Sequence, residues 1–374
     1  MTAPVPSQSS ALLRLQPGAM PGVVGERPTV GRALLDRVTA GRRAALLPDL
    51  LATAFTVSKH AQRSTARRAV LAALGLVEPA ADAARGRLAT ALHLAHDQLL
   101  RLAVDLPARA GGSVDTGWLL DAPVMGLPVA PTPFDLGALQ AASAALPGWL
   151  DRWLYARAPA DWLHDWHAGG GDALARWCEG RDQPIARWLS RVQADARRLA
   201  WPCVPLPLPA QGDAGWHELA ASIAAHDDFG EHPVWHGAPA ETGPWTRARG
   251  PEPAATAWER IGARLADLAH IACGRMPMLG ALTIAQGEGI AWTEAASGLL
   301  VHWIRLEPGE RDPATARAER YCVITPTEWN FHQAGAYSRL VAQAESGTDV
   351  LRLGVAVLDP CASVEFTACD GVGP

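Results

Sequence analysis

The sequence predicts an α+β fold that is mainly helical, with a small antiparallel sheet in its C-terminal third. Two observations support this prediction. Apolar residues recur at helical spacing through most of the chain before residue 280, whereas beyond it they alternate and include many β-branched side chains. The chain has 374 residues, of which 49% are hydrophobic, so it is long enough to bury a large core.

Composition excludes several classes of protein. The net charge is −5 and only 19% of residues are charged, so neither nucleic acid nor an anionic membrane is expected as the main partner. The six cysteines show no Cys-x-x-Cys spacing, and their low number fits a reducing compartment. Residues 1–10 lack the regions of a signal peptide, and no apolar window is long enough for a membrane span. We therefore expect a cytoplasmic protein.

The N-terminal part of the chain is predicted to be helical after a short extended segment. Residues 1–30 are rich in proline, glycine and serine, which predicts an extended, partly disordered segment ahead of a single domain over residues 31–374. Within that domain, residues 31–280 are predicted to be helical. The longest predicted helices span residues 50–74, 80–104, 136–155 and 254–273.

The C-terminal third contains the predicted sheet, over residues 285–330. Strands are predicted at residues 290–293, 299–306 and 320–325, the last two joined as a hairpin. A helix over residues 333–343 and an apolar run then lead into a C-terminal cysteine element at residues 345–366. There Cys361 directly follows Asp359-Pro360, and the proline pre-sets a turn that presents the thiol at a fixed place.

Four short motifs follow one another toward the C-terminus. They are Glu241-Thr242-Gly243-Pro244, the segment 294–303 with its His302-Trp303 pair, Pro326-Thr327-Glu328-Trp329-Asn330, and Asp359-Pro360-Cys361. None of these motifs is specific alone. In this order and spacing they resemble the large subunit of nickel–iron hydrogenases, over about residues 30–366. The resemblance implies a hydrogenase large-subunit-like helical core.

The sequence also departs from those hydrogenases, in which four cysteines bind nickel and an iron that carries cyanide and carbon monoxide. Cys361 matches one of these cysteines, but Val364 stands at the position of its partner. Phe55 and Ser58 occupy the two N-terminal cysteine positions, and Ser297 replaces an arginine that lines the diatomic ligands. Because one thiolate of four cannot hold the bimetallic centre, hydrogen oxidation is not expected.

The chain is more similar to the hydrogenase expression/formation proteins of the HupK/HoxV type, which have lost most of the metal cysteines. The shared features are residues 61–62, 241–243, 299–303 and 326–332. This resemblance implies a non-catalytic maturation factor, acting as a scaffold or transient carrier of the Fe(CN)2CO unit, with no stable cofactor. The implied partners are hydrogenase maturation proteins and the hydrogenase large-subunit precursor.

Four residues are candidates for holding such a cargo. Cys361 is the candidate metal ligand, and Thr327, Glu294 and His302 are candidate polar contacts to the bound unit. Each polar candidate also has a structural interpretation, since His302 could be a packed, hydrogen-bonded histidine and Thr327 could cap a turn.

Two other functions stay open at this stage. The first is a metal-free chaperone or docking module for hydrogenase maturation proteins, which would work without Cys361. The second is a divergent metal-binding enzyme that uses the pairs His93 and His96 or His164 and His167, each spaced to share one helix face.

Overall fold

The computed structural model describes residues 12–26, 32–55, 58–128, 135–247, 253–309, 312–344 and 348–367. It confirms the predicted mainly helical α+β fold. The helices are α1 (Arg32–Thr39), α2 (Leu47–Ala54), α3 (Lys59–Ala73), α4 (Ala80–Leu100), α5 (Leu106–Arg109), α6 (Leu136–Leu150), α7 (Pro159–Cys178), α8 (Pro184–Arg198), α9 (Leu208–Ala225), α10 (Pro244–Arg247), α11 (Ala257–Ala272), α12 (Pro326–Asn330), α13 (Ala336–Gln343) and α14 (Thr348–Leu358). In this described part no helix is long and apolar enough to cross a membrane.

The strands form two sheets. They are β1 (Leu12–Leu15), β2 (Val23–Glu26), β3 (Leu279–Ala285), β4 (Glu288–Ala295), β5 (Gly298–Leu306), β6 (Ala318–Ile324) and β7 (Ser363–Phe366). The larger sheet is antiparallel, with strand order β3-β4-β5-β6, and includes β3, which the sequence pattern did not predict. This sheet therefore begins before residue 285, and it ends at Ile324 because Pro326 starts α12 instead of continuing the strand.

A smaller sheet joins the two ends of the described chain. Strand β1 pairs antiparallel with β2 and parallel with β7, so that Leu13 lies opposite Val364. Residues 12–26 therefore hold two extended strands, as predicted, but these are ordered by backbone pairing of β1 with both β2 and β7 and not partly disordered. The rest of that predicted segment, residues 1–11 and 27–30, lies outside the described residues.

The two central strands of the larger sheet, β4 and β5, are buried on both faces. One face of β5 presents Leu300 and Ile304 to the core formed with α2 and α3, and the other presents Val301 and Trp303 to the core formed with α9. A third and largest core lies among helices α4, α6, α7, α8, α11 and α14. Helix α11 carries Trp258, Ile261 and Leu265 into it, as its amphipathic pattern predicted.

Helix α11 begins with a complete capping box. The Thr256 side chain accepts a hydrogen bond from the Glu259 backbone, and the Glu259 carboxylate accepts one from the Thr256 backbone. These bonds satisfy donors that the first turn of a helix leaves free, so they fix the residue at which α11 begins. Its position matters because α11 supplies the buried arginines described below.

The contact between α3 and β4 requires a glycine at position 289. A Cβ atom there would lie 2.5 Å from the Ala73 nitrogen and 2.6 Å from the Ala69 oxygen, both backbone atoms of α3. Gly289→Ala is therefore expected to lower the free energy of unfolding by about 1–3 kcal/mol. Gly148→Ala is the control, because Gly148 is exposed in α6 with open space around it, and it should stabilise by about 0.5 kcal/mol or more. Equal stability of the two variants in urea denaturation would contradict this packing.

Candidate functional site

Cys361 lies in a tight turn between α14 and β7. Helix α14 ends at Leu358, and Asp359 takes up the left-handed conformation with φ 54°. Aspartate is among the few residues that tolerate this conformation, and the following proline cannot continue the helix. The Asp-Pro-Cys sequence thus encodes the turn locally, and Cys361 itself is half-buried.

Thr327 on α12 accepts a hydrogen bond from this turn. The Cys361 backbone N–H donates to Thr327 Oγ1 at 3.0 Å, and Thr327 is 1% exposed. Thr327 is placed by the N-terminal capping box of α12, in which Thr325 and Glu328 satisfy each other's backbone N–H groups. Of the three predicted polar contacts, Thr327 is the one that the structure brings to Cys361.

Three arginines converge on the carboxylate of Asp359, which is 3% exposed. Arg101 Nε lies 2.9 Å from Asp359 Oδ2, while Arg264 and Arg109 approach it at 3.9 and 4.0 Å. Both terminal nitrogens of Arg109 also donate to the Pro360 carbonyl at 3.2 Å. The Asp-Pro-Cys turn is therefore clamped by side chains from three separate elements.

The surroundings keep the Cys361 sulfur protonated at neutral pH. Burial raises the pKa of this thiol to about 12, and the Asp359 and Glu328 carboxylates act in the same direction. Arg101 and the hydrogen bond from Thr327 oppose this rise in pKa but do not cancel it. Because metals bind the thiolate, a metal that binds here has to displace a proton.

A cavity of about 340 Å³ adjoins this turn through Arg101, which is one of its lining residues. The lining residues are Ser58, Lys59, His60, His93, His96, Asp97, Leu100, Arg101, Val104 and Asp105. Residues 101–105 form a π-helical turn between α4 and α5, a departure from α-helix that often occurs at functional sites. Nothing in the local sequence pattern distinguishes Arg101 from other charged helix residues, so the sequence did not predict its place at this site.

Phe55, Ser58 and Val364, the residues that the motif resemblance assigns to the remaining cysteine positions, offer no thiol and make other contacts. Ser58, in the left-handed conformation with φ 52°, donates its hydroxyl to Asp97 Oδ2 at 3.1 Å. Phe55 packs into the core formed with α2 and α3, and Val364 lies on β7. Only Cys361 of the four positions therefore carries sulfur.

His302 is a packed core histidine. Its Nε2 lies 2.8 Å from Gln62 Oε1 and its Nδ1 lies 2.9 Å from the Tyr321 hydroxyl. Burial lowers the pKa of His302 to about 3, so the ring is neutral. A neutral ring donates from one nitrogen only, so Nε2 donates to Gln62 and Nδ1 accepts from Tyr321. Both ring nitrogens are thus engaged within the protein, which corrects His302 as a candidate ligand contact.

Glu294 also bonds to groups away from the Cys361 turn. Its carboxylate accepts from the Met278 backbone N–H at 2.7 Å and pairs with Arg275 at 3.4 Å. These bonds join the start of β3 to β4 and to the end of α11. The hydrogen bonds recorded for Glu294 among the described residues are therefore structural ones.

The histidine pairs do not converge with further ligands. His93 stacks on His60 with ring centroids 4.3 Å apart, and burial lowers the pKa of His93 to about 4. His167 lies against His270, with ring centroids 5.2 Å apart. Within the described ranges no group of three or more His, Cys, Asp or Glu side chains could hold a metal ion.

Comparisons with known proteins place this site in context. The chain is 34% identical to the hydrogenase expression/formation protein HoxV of Cupriavidus necator, over 95% of each chain. It is 29% identical to HupV of Azotobacter chroococcum, another hydrogenase expression/formation protein, over 94% of this chain and 96% of that one. No protein-family profile matches the chain.

The fold has relatives among solved structures. The Ni-Fe-Se hydrogenase of Desulfovibrio vulgaris Hildenborough in its reduced state aligns with a TM-score of 0.50, over 91% of this chain and 92% of that one. The sequence identity is only 13%, so this likeness concerns the fold alone. It confirms the predicted hydrogenase large-subunit-like fold. With the identity to HoxV extending over nearly its whole length, the protein belongs to the family of hydrogenase expression/formation proteins.

Proposed function

We propose that the protein is a non-catalytic maturation factor for NiFe hydrogenase, a large-subunit mimic that acts as a scaffold or transient carrier of the Fe(CN)2CO unit. The observation that carries this proposal is the Cys361 turn. The Cys361 backbone N–H donates to Thr327, and the adjacent Asp359 pairs with Arg101, which also lines the neighbouring cavity. These contacts fix the turn that presents one thiol beside a cavity.

A single thiol suits a cargo that must leave as well as bind. Soft thiolate ligands bind iron, but one such ligand holds it far less firmly than four do. Because the pKa of Cys361 is raised to about 12, a proton competes with the metal for the sulfur at neutral pH. Both features favour release of the cargo over permanent retention.

The hydrogenase-like fold supports the same proposal for the partners. Relatives over nearly the whole chain are named for hydrogenase expression and formation. A protein that shares the fold of a hydrogenase could present similar surfaces to assembly factors. We infer that its partners are hydrogenase maturation proteins and the large-subunit precursor, met in the cytoplasm, with neither nucleic acid nor membrane involved.

A metal-free docking module is the second candidate. It is favoured by the position of Ser58, whose hydroxyl is hydrogen-bonded to Asp97, and by the buried Phe55. Neither residue offers the thiolate that a hydrogenase has at the same position. In this alternative the fold alone would recruit maturation proteins, and Cys361 would be a structural thiol.

Infrared spectroscopy separates the two candidates. The protein is purified without oxygen from a host that carries the hydrogenase maturation genes, and iron and nickel are quantified on the same sample. A carrier is expected to show cyanide and carbonyl stretching bands, with iron and little nickel, and Cys361→Ser should lose them. Cys273→Ser, which removes an exposed cysteine, is the matched control. If the wild-type protein in complex with its partners shows no such bands, the carrier is excluded and the docking module is the candidate that remains.

Thr327 offers a second test of the site. Thr327→Val removes the oxygen that accepts from the Cys361 N–H, which should cost about 1–3 kcal/mol of stability and lower the iron content. Thr327→Ser keeps that oxygen and is expected to retain both stability and iron. The measurements are urea unfolding and iron per protein after anaerobic purification. Unchanged iron in Thr327→Val would show that the hydrogen bond does not matter for cargo.

The raised pKa predicts that the Cys361 thiol reacts slowly in the cargo-free protein. Below a pKa of about 12 the thiolate fraction of Cys361 rises tenfold per pH unit, so alkylation by iodoacetamide should be slow at pH 7 and accelerate up to pH 10. Arg101→Gln removes a cation that favours the thiolate and should slow the reaction further. Site-resolved mass spectrometry gives the rate. Reaction at pH 7 as fast as that of a free cysteine would contradict the buried environment.

A further inference from the structure

One buried guanidinium contacts two segments that are far apart in sequence. Arg264 on α11 is fully buried, and its Nη1 donates to the Ala296 carbonyl at 3.0 Å, in the turn between β4 and β5. Its Nη2 donates to the Val357 carbonyl at 2.8 Å, in the last turn of α14, four residues before Cys361. The side chain therefore bridges the β4–β5 turn and the approach to the Cys361 turn.

A second set of hydrogen bonds, from Gln98 and Arg247, also holds the β4–β5 turn. Gln98 Nε2 donates to the Ala296 carbonyl at 3.1 Å and to Asp267 Oδ2 at 2.8 Å, while Gln98 Oε1 accepts from Arg264 at 3.2 Å. Arg247 donates to the Ala295 carbonyl at 2.7 Å and pairs with Asp267 at 2.8 Å. Arg264 is the member of this network that also reaches α14 by a direct hydrogen bond.

Stability is a poor explanation for such an arrangement. Taking a cation out of water is costly, and a well-packed apolar side chain often stabilises a core at least as well. Arg264 Nε has no hydrogen-bond partner among the described residues, which adds a further desolvation cost. The nearest carboxylate oxygen of Asp359 lies 3.9 Å away, too far for a hydrogen bond. What the side chain does achieve is a fixed spacing between two backbone carbonyls.

We propose that Arg264 is a positioning residue that fixes the Cys361 turn relative to the β4–β5 turn, and thereby governs how firmly a cargo is retained at Cys361. The cargo part of this proposal rests on the proposed function, whereas the mechanical part does not. The guanidinium fork suits the role because it donates in two fixed directions at once. A lysine has one rotatable ammonium and cannot hold both carbonyls in the same geometry.

The same helix supplies a matched control. Arg260 lies one turn before Arg264, is equally buried, and pairs with Glu241 at 2.8 Å. It also donates to the Trp201 carbonyl, so it likewise bridges distant segments, but neither of them is at the Cys361 turn. Arg260→Lys should therefore destabilise the core without loosening the two loops that Arg264 joins.

Hydrogen–deuterium exchange on the cargo-free protein tests the mechanical part. In Arg264→Lys, the backbone amides of residues 295–297, 357–359, 361 and 362 are expected to exchange about tenfold faster, from the loss of one hydrogen bond, while β5 and β6 are unchanged. Arg260→Lys should leave these two loops at the wild-type rate. If both variants accelerate exchange uniformly, or if only one of the two loops responds to Arg264→Lys, the bridging role is overturned.

Iron content tests the link to cargo separately. Under the anaerobic purification described above, Arg264→Lys should hold several-fold less iron than Arg260→Lys. Loosened loops with equal iron in the two variants would overturn the link to cargo retention. A wild-type protein without iron would overturn the carrier function itself, and the exchange result would still decide whether Arg264 positions the Cys361 turn.

Discussion

Charged side chains buried along α11, together with the groups they bind, are the constraint on which the rest of the structure depends. Arg260 pairs with Glu241, Arg264 binds backbone carbonyls, and Asp267 pairs with Arg247. Removing one partner of such a pair costs about 3–5 kcal/mol, because it leaves a charge unpaired in the core. The helix therefore cannot slide or rotate to accommodate change elsewhere. The β4–β5 turn and the end of α14, which leads into the Cys361 turn, are both tied to it.

A fold tolerates more sequence change than a metal site does. At 13% identity the solved Ni-Fe-Se hydrogenase still shares the fold, because core packing requires only apolar residues at the right spacing. A metal site is less tolerant, since it requires particular donor atoms in one place. Ser58 and Val364, which the motif resemblance assigns to cysteine positions, each fit their local structure while offering no sulfur. The Cys361 turn therefore bears on function more directly than the fold does.

Local signals explain most of what the sequence predicted correctly. The amphipathic helix over residues 254–273 corresponds to α11, and its capping box lies entirely within four consecutive residues. The predicted strands match β4, β5 and β6, and β4 extends beyond the predicted residues 290–293 at both ends because it pairs with β5 along its whole length. Strand β3 was missed because its glycine and alanine residues give a weak strand signal. Strands β1 and β7 depend on pairing across some 350 residues, which no local pattern encodes.

By itself, then, the sequence determined the helical core, the sheet, the family resemblance and the Asp-Pro-Cys turn, because each depends on residues close together in the chain. Tertiary structure alone decided which polar groups meet. It brought Thr327 to Cys361, set Arg101, Arg109 and Arg264 around Asp359, and bonded His302 to Gln62 and Tyr321. The sequence around a charged or polar helix residue does not indicate which residue it will contact. The pairing is decided in the folded protein, where burial makes an unpaired polar group costly.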